Sequence, residues 1–263
     1  MKTPILEVTG LTMDFGGIRA LDALDLDVKS GEIVALIGPN GAGKTTFFNC
    51  ITGIYRPTAG EIFITQPESG RKVALKNLKP NKVTEHGLAR TFQNIRLFPK
   101  MTVLENVMIG RHCRTKSFIF GAVFRPQATR REEEEILEVS YAKLVKVGLA
   151  KSADEFAANL PYGAQRRLEI ARALATEPLL LLLDEPAAGM NPQETSELDQ
   201  LIKEISGEGQ AILLIEHDMK LVMSLSDRIF VMDYGKKIAQ GTPLEVRSNP
   251  AVIKAYLGEE VDA

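Results

Sequence analysis

Residues 32–46 contain the spacing of residue types that is best suited to chemistry. They read EIVALIGPNGAGKTT: an apolar run of strand length, then the pattern G-x-x-x-x-G-K-[ST], then a stretch that can form a helix. The glycines let the backbone turn tightly, so successive N–H groups can form a nest for anionic phosphates at the positive end of the helix. The alternative is a glycine turn with an incidental lysine, but the pattern arises by chance in only about 1 in 100 chains of this length.

This pattern predicts a site for nucleotide phosphates in which the residues have separate roles. Lys44 is expected to reach the β- and γ-phosphates, and the Thr45 hydroxyl is expected to ligate Mg²⁺. The predicted phosphate-binding residues are Gly38, Pro39, Asn40, Gly41, Ala42, Gly43, Lys44, Thr45 and Thr46.

A second group of polar residues follows other predicted strands. Asp184 and Glu185 come directly after five leucines, so the first carboxylate could hold Mg²⁺ and the second could polarise a water for attack on the γ-phosphate. Gln93 could supply an oxygen to Mg²⁺ or to the attacking water, and His217 could donate to the γ-phosphate. Taken singly, a glutamine or a histidine is usually structural, so these roles depend on the phosphate loop in the same chain.

The pattern of surrounding elements explains how these residues could meet. We expect strands at 33–37, 88–93, 179–183 and 211–215, and helices at 46–53, from 165 onward, at 193–206 and at 219–225. This alternation predicts a mainly parallel sheet with ligand groups at the carboxyl ends of its strands. The alternation of apolar and polar residues at 5–9 and 24–28 predicts an N-terminal antiparallel β edge before the phosphate loop.

The long segment 102–159 has the pattern of helices. It includes apolar positions such as Ile136, Val139 and Leu144 and an acidic run at 132–135 that suits a solvated helix face. Residues 114–126 are expected to form an irregular link, and the polar segment 66–85 is expected to be a surface excursion. We therefore predict an α/β core formed by residues 1–98 and 161–263, with an α-helical subdomain inserted at 99–160.

Composition and charge argue against several classes of function. The chain has 263 residues, 44% of them hydrophobic, and its net charge of −2 gives no electrostatic reason to expect nucleic acid as the main partner. The two cysteines, Cys50 and Cys113, lack metal-binding spacing and indicate a reducing compartment. Residues 1–10 lack the apolar region of a signal peptide, and the longest apolar run, 178–183, is too short to span a bilayer. Any membrane role is therefore expected to come through a partner.

Taken in order, these motifs make the chain resemble the ATP-binding subunits of ABC transporters over nearly all of its length. The long helical insertion before Asp184 suits that family. The resemblance implies that Phe15 stacks on adenine and that Gln93 lies in the loop that senses the transport domains. It also implies that Asp184 is the carboxylate of the Mg²⁺ site, Glu185 the catalytic base and His217 the switch histidine. The implied fold is that of a P-loop NTPase, with ATP and Mg²⁺ as cofactors.

Within this family, the chain most closely resembles the LivG type of ATP-binding subunit, which serves branched-chain amino acid importers. The matching stretches are LDEPAAGMNP at 183–192, LIEHDMKLV at 214–222 and IKAYLG at 253–258. The resemblance implies an ATPase that drives uptake of branched-chain or related amino acids. The ATPases of urea and amide importers and of lipopolysaccharide exporters are alternatives, because they look similar in these stretches. Soluble ABC ATPases that act on DNA or ribosomes are disfavoured, because the chain has neither a long coiled coil nor a second cassette.

The same resemblance implies a set of partners and a location. ATP would be bound between two ATPase subunits, identical or different, that meet head to tail. Two transmembrane permease subunits would dock in a groove near residues 93–101, which would place this chain at the cytoplasmic face of the inner membrane as a peripheral subunit. A separate solute-binding protein would capture the solute, and no nucleic acid is expected as a partner.

The segment that should cap the ATP of the opposite subunit departs from the family pattern Leu-Ser-Gly-Gly-Gln. The aligned residues, which we name the signature segment, are Leu160, Pro161, Tyr162, Gly163 and Ala164. Pro161 removes a serine hydroxyl and a backbone N–H, although proline suits the first position of a helix, so the next N–H groups could still face phosphate. The lost contact would cost on the order of 1.5–3 kcal/mol. We therefore hypothesise that the ATP site closed by this segment is the weaker one, whereas the site built on this chain's own phosphate loop is hydrolytically competent.

Overall fold

Two β-sheets form the centre of the molecule, and helices surround them. The computed structural model describes residues 4–114 and 127–257. The link expected at 114–126, apart from its first residue, and the last residue of the 253–258 stretch therefore lie outside the described residues. The predicted α/β core is confirmed: one sheet is antiparallel, and the other is parallel except for one edge strand.

The antiparallel sheet begins with two long strands that form a hairpin. Its strands are β1 (Pro4–Phe15), β2 (Ile18–Lys29), β4 (Ala59–Thr65) and β5 (Lys72–Ala74), in the spatial order β2-β1-β4-β5. Leu6, Leu11 and Leu26 of the first two strands are buried in the core. Both strands extend well beyond the predicted ranges because shifts in register, one of them around Gly10, let the pairing continue.

The second sheet positions most of the predicted site residues. Its strands, in spatial order, are β10 (Lys236–Gly241), β9 (Arg228–Asp233), β3 (Ile33–Ile37), β8 (Ala211–Ile215), β7 (Leu180–Asp184) and β6 (Leu88–Arg90). Every residue of β3, β7 and β8 is buried, as expected for parallel strands covered on both faces. Because β3, β8, β7 and β6 are consecutive parallel neighbours, their carboxyl ends meet at one edge of the sheet.

Helices connect and cover these strands. They are α1 (Lys44–Ile51), α2 (Pro80–Glu85), α3 (Val103–Arg111), α4 (Gln127–Lys146), α5 (Tyr162–Leu174), α6 (Pro192–Gly207), α7 (Met219–Leu225), α8 (Pro243–Arg247) and α9 (Pro250–Leu257). Several begin at strong N-terminal signals: Thr102 and Glu105 form a capping box before α3, and Asn191 and Glu194 form another before α6. Within the two described ranges, no helix combines the length and the apolarity needed to cross a bilayer.

The helices α3 and α4 lie in the region expected to form an inserted subdomain. They contact each other and α5, and one apolar cluster extends from Val107 and Leu144 through Leu168 to Leu181 of β7. Because the core and the helical region share this cluster, contacts alone do not separate them. The boundaries at 98/99 and 160/161 stay predictions.

The structure differs from the sequence-based expectations in several short elements. The segment 66–85, expected to be a surface excursion, contains β5 and α2 and buries Leu75 and Val83 in the core. Strand β10 and helix α8 were not predicted, because their composition is polar and pairing or capping supplies their stability. Helices α1 and α5 also begin earlier than expected, at Lys44 and Tyr162.

Candidate functional site

The phosphate loop, residues 38–43, connects β3 to α1 and fits closely against neighbouring backbone. Gly43 has a φ of 102°, and a Cβ added there would lie 2.7 Å from the Ala20 carbonyl oxygen. Gly38 has a φ of 155°, and an added Cβ would collide with the Met232 carbonyl oxygen. Only glycine fits at these two positions without a shift of the backbone. The loop is therefore held in one shape at the N-terminal end of α1, where backbone N–H groups attract anions.

Lys44 is turned inward in this structure. Its side chain is buried, and Nζ donates to the Gly38 carbonyl oxygen at 2.6 Å and to the Pro39 carbonyl oxygen at 2.9 Å. Burial lowers the pKa of the Lys44 ammonium, and the nearby Glu185 carboxylate partly opposes that shift. The ammonium group therefore lies inside the loop that is predicted to hold the phosphates. Thr45 is exposed on the first turn of α1.

The three predicted catalytic residues meet at the carboxyl ends of adjacent strands. Glu185 follows β7, and its Oε2 accepts a hydrogen bond from Gln93 Nε2 at 2.8 Å, while its Oε1 lies 2.9 Å from His217 Nε2. Gln93 follows β6 and His217 follows β8, the strands on either side of β7. Both carboxylate oxygens are thus held by side chains from the segments that follow the two flanking strands. A base for activating water needs this kind of fixed position.

The backbone of Glu185 supports the same conclusion. Its φ is +47°, a conformation that non-glycine residues rarely adopt, and its N–H donates to the Ile215 carbonyl oxygen at 2.9 Å. Such strain persists where the surrounding structure enforces it, and it is frequent at functional sites. The turn after β7 therefore fixes the direction in which the Glu185 side chain leaves the sheet.

Asp184 lies at the end of β7 as predicted, but its main partner was not predicted. Arg90 of β6 donates from Nη2 to Asp184 Oδ2 at 2.7 Å, and both side chains are more than nine-tenths buried. Arg90 Nη1 donates to Asn49 Oδ1 at 2.7 Å, and the guanidinium lies over the rings of Phe48 and Phe92. The sequence contains only one indication that Arg90 belongs to the site: this charged residue ends an otherwise apolar strand three residues before Gln93.

Glu216 is a second residue whose place in the site was missed. It is buried beside His217, and it accepts hydrogen bonds from the Ala187 N–H at 2.8 Å and the His217 N–H at 3.0 Å. Burial raises the pKa of the Glu216 carboxyl, and the charge of Glu185 adds to that rise. Glu216 therefore ties the turn after Glu185 to the turn that carries His217.

Phe15, predicted to stack on adenine, is half-exposed at the end of β1. Its ring meets the edge of the Tyr55 ring, with centroids 5.3 Å apart and an angle of 81° between the planes. An exposed ring of this kind can present a face to a flat heterocycle. The stacking role itself stays a prediction.

The signature segment forms the start of α5. Pro161, expected at the first helical position, is instead the residue before it, with φ −59° and ψ 156°, and it supplies no side-chain cap. Leu160, Gly163 and Ala164 are buried. Tyr162 is half-exposed, and its hydroxyl donates to the Ala188 carbonyl oxygen at 2.9 Å. Part of this segment is therefore engaged within its own chain.

Comparison with known proteins identifies the family. The model of the ABC transporter family matches residues 21–188, and a second model, described as branched-chain amino acid ATP-binding cassette transporter, matches residues 236–262. The high-affinity branched-chain amino acid transport ATP-binding protein LivG of Salmonella typhimurium is 50% identical over 260 residues, covering 98% of this chain and 100% of that protein. BraF of Pseudomonas aeruginosa, described in the same words, is 49% identical over the same shares of both chains.

Solved structures agree with the sequence comparison. The ADP conformation of MJ1267, an ATP-binding cassette of an ABC transporter, superposes with a TM-score of 0.82 at 32% identity, covering 98% of this chain and 100% of that chain. The dimeric structure of MJ0796, a bacterial ABC transporter cassette, superposes with a TM-score of 0.73 at 26% identity, covering 90% and 98%. The fold is therefore that of an ABC ATPase, and the chain belongs to the family of ABC transporter ATP-binding proteins.

Proposed function

We propose that this chain is the ATP-hydrolysing subunit of an importer that takes up branched-chain or related amino acids. The observation that carries the proposal is the position of Glu185, held by Gln93 and His217 and close enough to Lys44 for their charges to interact. The names of LivG and BraF, which match almost the whole chain, support the class of solute.

Each part of the site has a role in binding ATP. The phosphate loop and the N-terminal turn of α1 would hold the phosphates through backbone N–H groups. Lys44 would exchange the two loop carbonyl oxygens that it now contacts for phosphate oxygens. Phe15 would stack on the adenine. The ADP conformation of MJ1267, a cassette similar over nearly the full chain, supports nucleotide binding by this chain.

Hydrolysis would use the residues at the carboxyl ends of β6, β7 and β8. Glu185 would act as the general base that accepts a proton from the attacking water. Gln93 and His217 would hold its carboxylate in place, and either side chain could then turn toward the γ-phosphate or the water. The side chain of His217 is about half-exposed, so it is free to make such a move.

Mg²⁺ fits the residues present at this site. Thr45 and Gln93 are exposed residues that carry a hydroxyl and an amide oxygen. Asp184 adds a carboxylate, and Arg90 donates a hydrogen bond to one of its two oxygens. Such a sparse set of oxygen ligands suits Mg²⁺, which keeps several of its waters and binds substrate phosphates. When bound, the ion would neutralise charge on the β- and γ-phosphates.

A second ATPase subunit, identical or different, would complete each ATP site. The signature segment of one subunit would face the nucleotide of the other. The dimeric structure of MJ0796 supports this arrangement, since that cassette superposes on most of this chain.

The remaining partners would be two transmembrane permease subunits and a separate solute-binding protein. The exposed ring of Phe98, between β6 and α3, lies in the segment 93–101 where we expect the permease contact. Docking there would hold the chain at the cytoplasmic face of the inner membrane.

Transport by the whole assembly tests this proposal. The complex that co-purifies with the tagged chain would be reconstituted in vesicles, and ATP-driven uptake of labelled leucine and urea would be measured. Lys44→Ala should abolish ATP hydrolysis and leucine uptake, whereas Lys151→Ala, a surface lysine in a short 3₁₀ turn, should change neither. Uptake of urea without leucine would overturn the solute class, and a wild-type complex without ATPase activity would overturn the enzymatic role.

A further inference from the structure

Arg166 of α5 is a fully buried charged side chain. It is 0% exposed and pairs with Glu169, 1% exposed, through a 2.9 Å contact between Nη1 and Oε2. Because desolvation offsets most of the attraction, a buried ion pair adds little net stability compared with a well-packed apolar pair. The contacts that these two side chains make with other segments therefore offer a better account of their presence.

Arg166 and Glu169 together hold the backbone around Gln93. Arg166 Nη1 donates to the Phe92 carbonyl oxygen at 2.6 Å, and Nη2 donates to the Gln93 carbonyl oxygen at 2.8 Å. Glu169 Oε1 accepts from the Phe92 N–H at 3.3 Å. Three hydrogen bonds thus fix the backbone from which the Gln93 side chain reaches Glu185. Arginine makes these donations from two nitrogens held in one plane, whereas a lysine ammonium offers a single nitrogen without that fixed geometry.

Tyr162 extends these contacts to a second loop. Arg166 Nη2 also donates to the Tyr162 hydroxyl at 3.3 Å, and that hydroxyl donates to the Ala188 carbonyl oxygen at 2.9 Å. The tyrosine ring lies close to Gly189, since a Cβ added there would be 3.4 Å from it. Ala188 is three residues after Glu185. The hydroxyl therefore joins the loop that follows Glu185 to the arginine that holds the loop of Gln93.

We propose that Tyr162, Arg166 and Glu169 form a bracket that positions Gln93 and Glu185 relative to each other. The bracket lies at the start of α5, so a shift of the signature segment against an opposite subunit would alter the contact between Gln93 and Glu185. The glycine that the family pattern has at this position could not make the two hydroxyl contacts, so this link is a property of the tyrosine. The effect of the bracket on ATP hydrolysis rests on the proposed ATPase function, whereas the existence of the bracket does not.

Hydrogen exchange measured on the whole protein without nucleotide tests the bracket directly. Tyr162→Phe keeps the ring but removes the hydroxyl, and it should speed exchange of backbone amides in both segments that the bracket joins, 92–98 and 186–190. Tyr141→Phe, on an exposed face of α4, is the matched control and should leave both segments unchanged. Faster exchange confined to 186–190, or no change in either segment, would overturn the proposal, because the hydroxyl would then have only a local role.

A second variant probes the other half of the bracket without leaving Glu169 unpaired. Arg166→Lys keeps the positive charge but loses the forked donation, so it should speed exchange at 92–98 and also at 186–190. Unchanged exchange at 186–190 would contradict the coupling.

ATPase kinetics of the assembled transporter then test the catalytic consequence. In Tyr162→Phe, kcat should fall about five- to tenfold, a size typical of losing ordinary hydrogen bonds such as the two that the hydroxyl makes, while KM for ATP stays unchanged. A raised KM with normal kcat would overturn the positioning role. If the wild-type chain had no ATPase activity, the proposed function would fail, yet the exchange experiment would still decide whether the bracket exists.

Discussion

Arg90 Nη2 lies 2.7 Å from Asp184 Oδ2, and this ion pair joins the neighbouring strands β6 and β7 beneath the site. The same arginine contacts Asn49 of α1, which follows the phosphate loop. A single buried cation thus connects the carboxylate of the expected Mg²⁺ site to the phosphate-binding helix.

Replacing Arg90 by leucine should destabilise the protein strongly. The Asp184 carboxylate would remain buried without its cation, a change that typically costs about 3–5 kcal/mol. Urea denaturation followed by circular dichroism would measure the free energy of unfolding. Arg19→Leu is the matched control, because Arg19 makes ion pairs with Asp14 and Asp22 on the exposed surface, where water screens the charges and the loss should change the free energy of unfolding little. Equal losses in the two variants would show that the Arg90 pair has no special role in the fold.

Glu185→Gln should separate hydrolysis from nucleotide binding. The amide keeps the shape of the side chain but is not a base, so ATP hydrolysis should fall by about 10²- to 10⁴-fold. ATP should still bind, and light scattering should show a larger mass with Mg·ATP if two copies can close on each other. Glu204→Gln, on the exposed face of α6, should behave as wild type. Full activity of Glu185→Gln would exclude Glu185 as the base.

The meeting of Gln93, Glu185 and His217 was predictable from the sequence, because parallel strands place their carboxyl ends at one edge. The contacts that fix these residues were not predictable. The pair between Arg90 and Asp184 requires β6 to lie next to β7, and a sequence pattern gives strand positions but not their spatial order. The sequence did not indicate the role of Glu216 either, since its burial depends on the turn that follows Glu185.

The fold shows the same division between local and tertiary information. Strand β8 and helix α7 match their predicted bounds, because a short apolar run and a helical period mark them clearly. Strand β10 was not predicted, because its polar sequence lacks an apolar run and the strand is held in place by pairing with β9. Helix α2 was not predicted, because it lies in a polar segment and Val83 is its one residue buried in the core.

The pH dependence of stability should contain a contribution from Glu216. Its pKa in the folded protein is raised above the ordinary value of 4.5, mainly by burial. The folded state therefore binds this proton more tightly than the unfolded state does, so the contribution is fully present below the ordinary pKa and is lost as pH rises through the folded pKa. The free energy of unfolding of wild type minus that of Glu216→Gln should fall as pH rises above about 4.5. A difference that is constant or rises with pH would contradict this sign.

Pro161→Ser should stabilise α5 and strengthen the signature segment. Pro161 is the N-cap residue and makes no side-chain hydrogen bond to the helix, whereas a serine hydroxyl there accepts from the N–H of the second or third helical residue and contributes about 0.5–2 kcal/mol. Serine also restores the hydroxyl that the family pattern places near the opposite subunit's ATP. We therefore expect a higher free energy of unfolding together with about ten- to hundredfold more activity at the site this segment closes.

Pro161→Ala separates the two causes of that gain, because it removes the ring and restores a backbone N–H without adding a hydroxyl. ATPase activity of the assembled transporter and urea denaturation would be measured for all three proteins. If the weaker site results from the missing hydroxyl, only the serine variant should gain activity. Equal gains in both variants would assign the weakness to the proline itself, through its ring or its missing backbone N–H. If neither variant gained ATPase activity, the hypothesis that Pro161 weakens the ATP site closed by this segment would be refuted, because restoring the missing hydrogen-bond donors would then have had no effect.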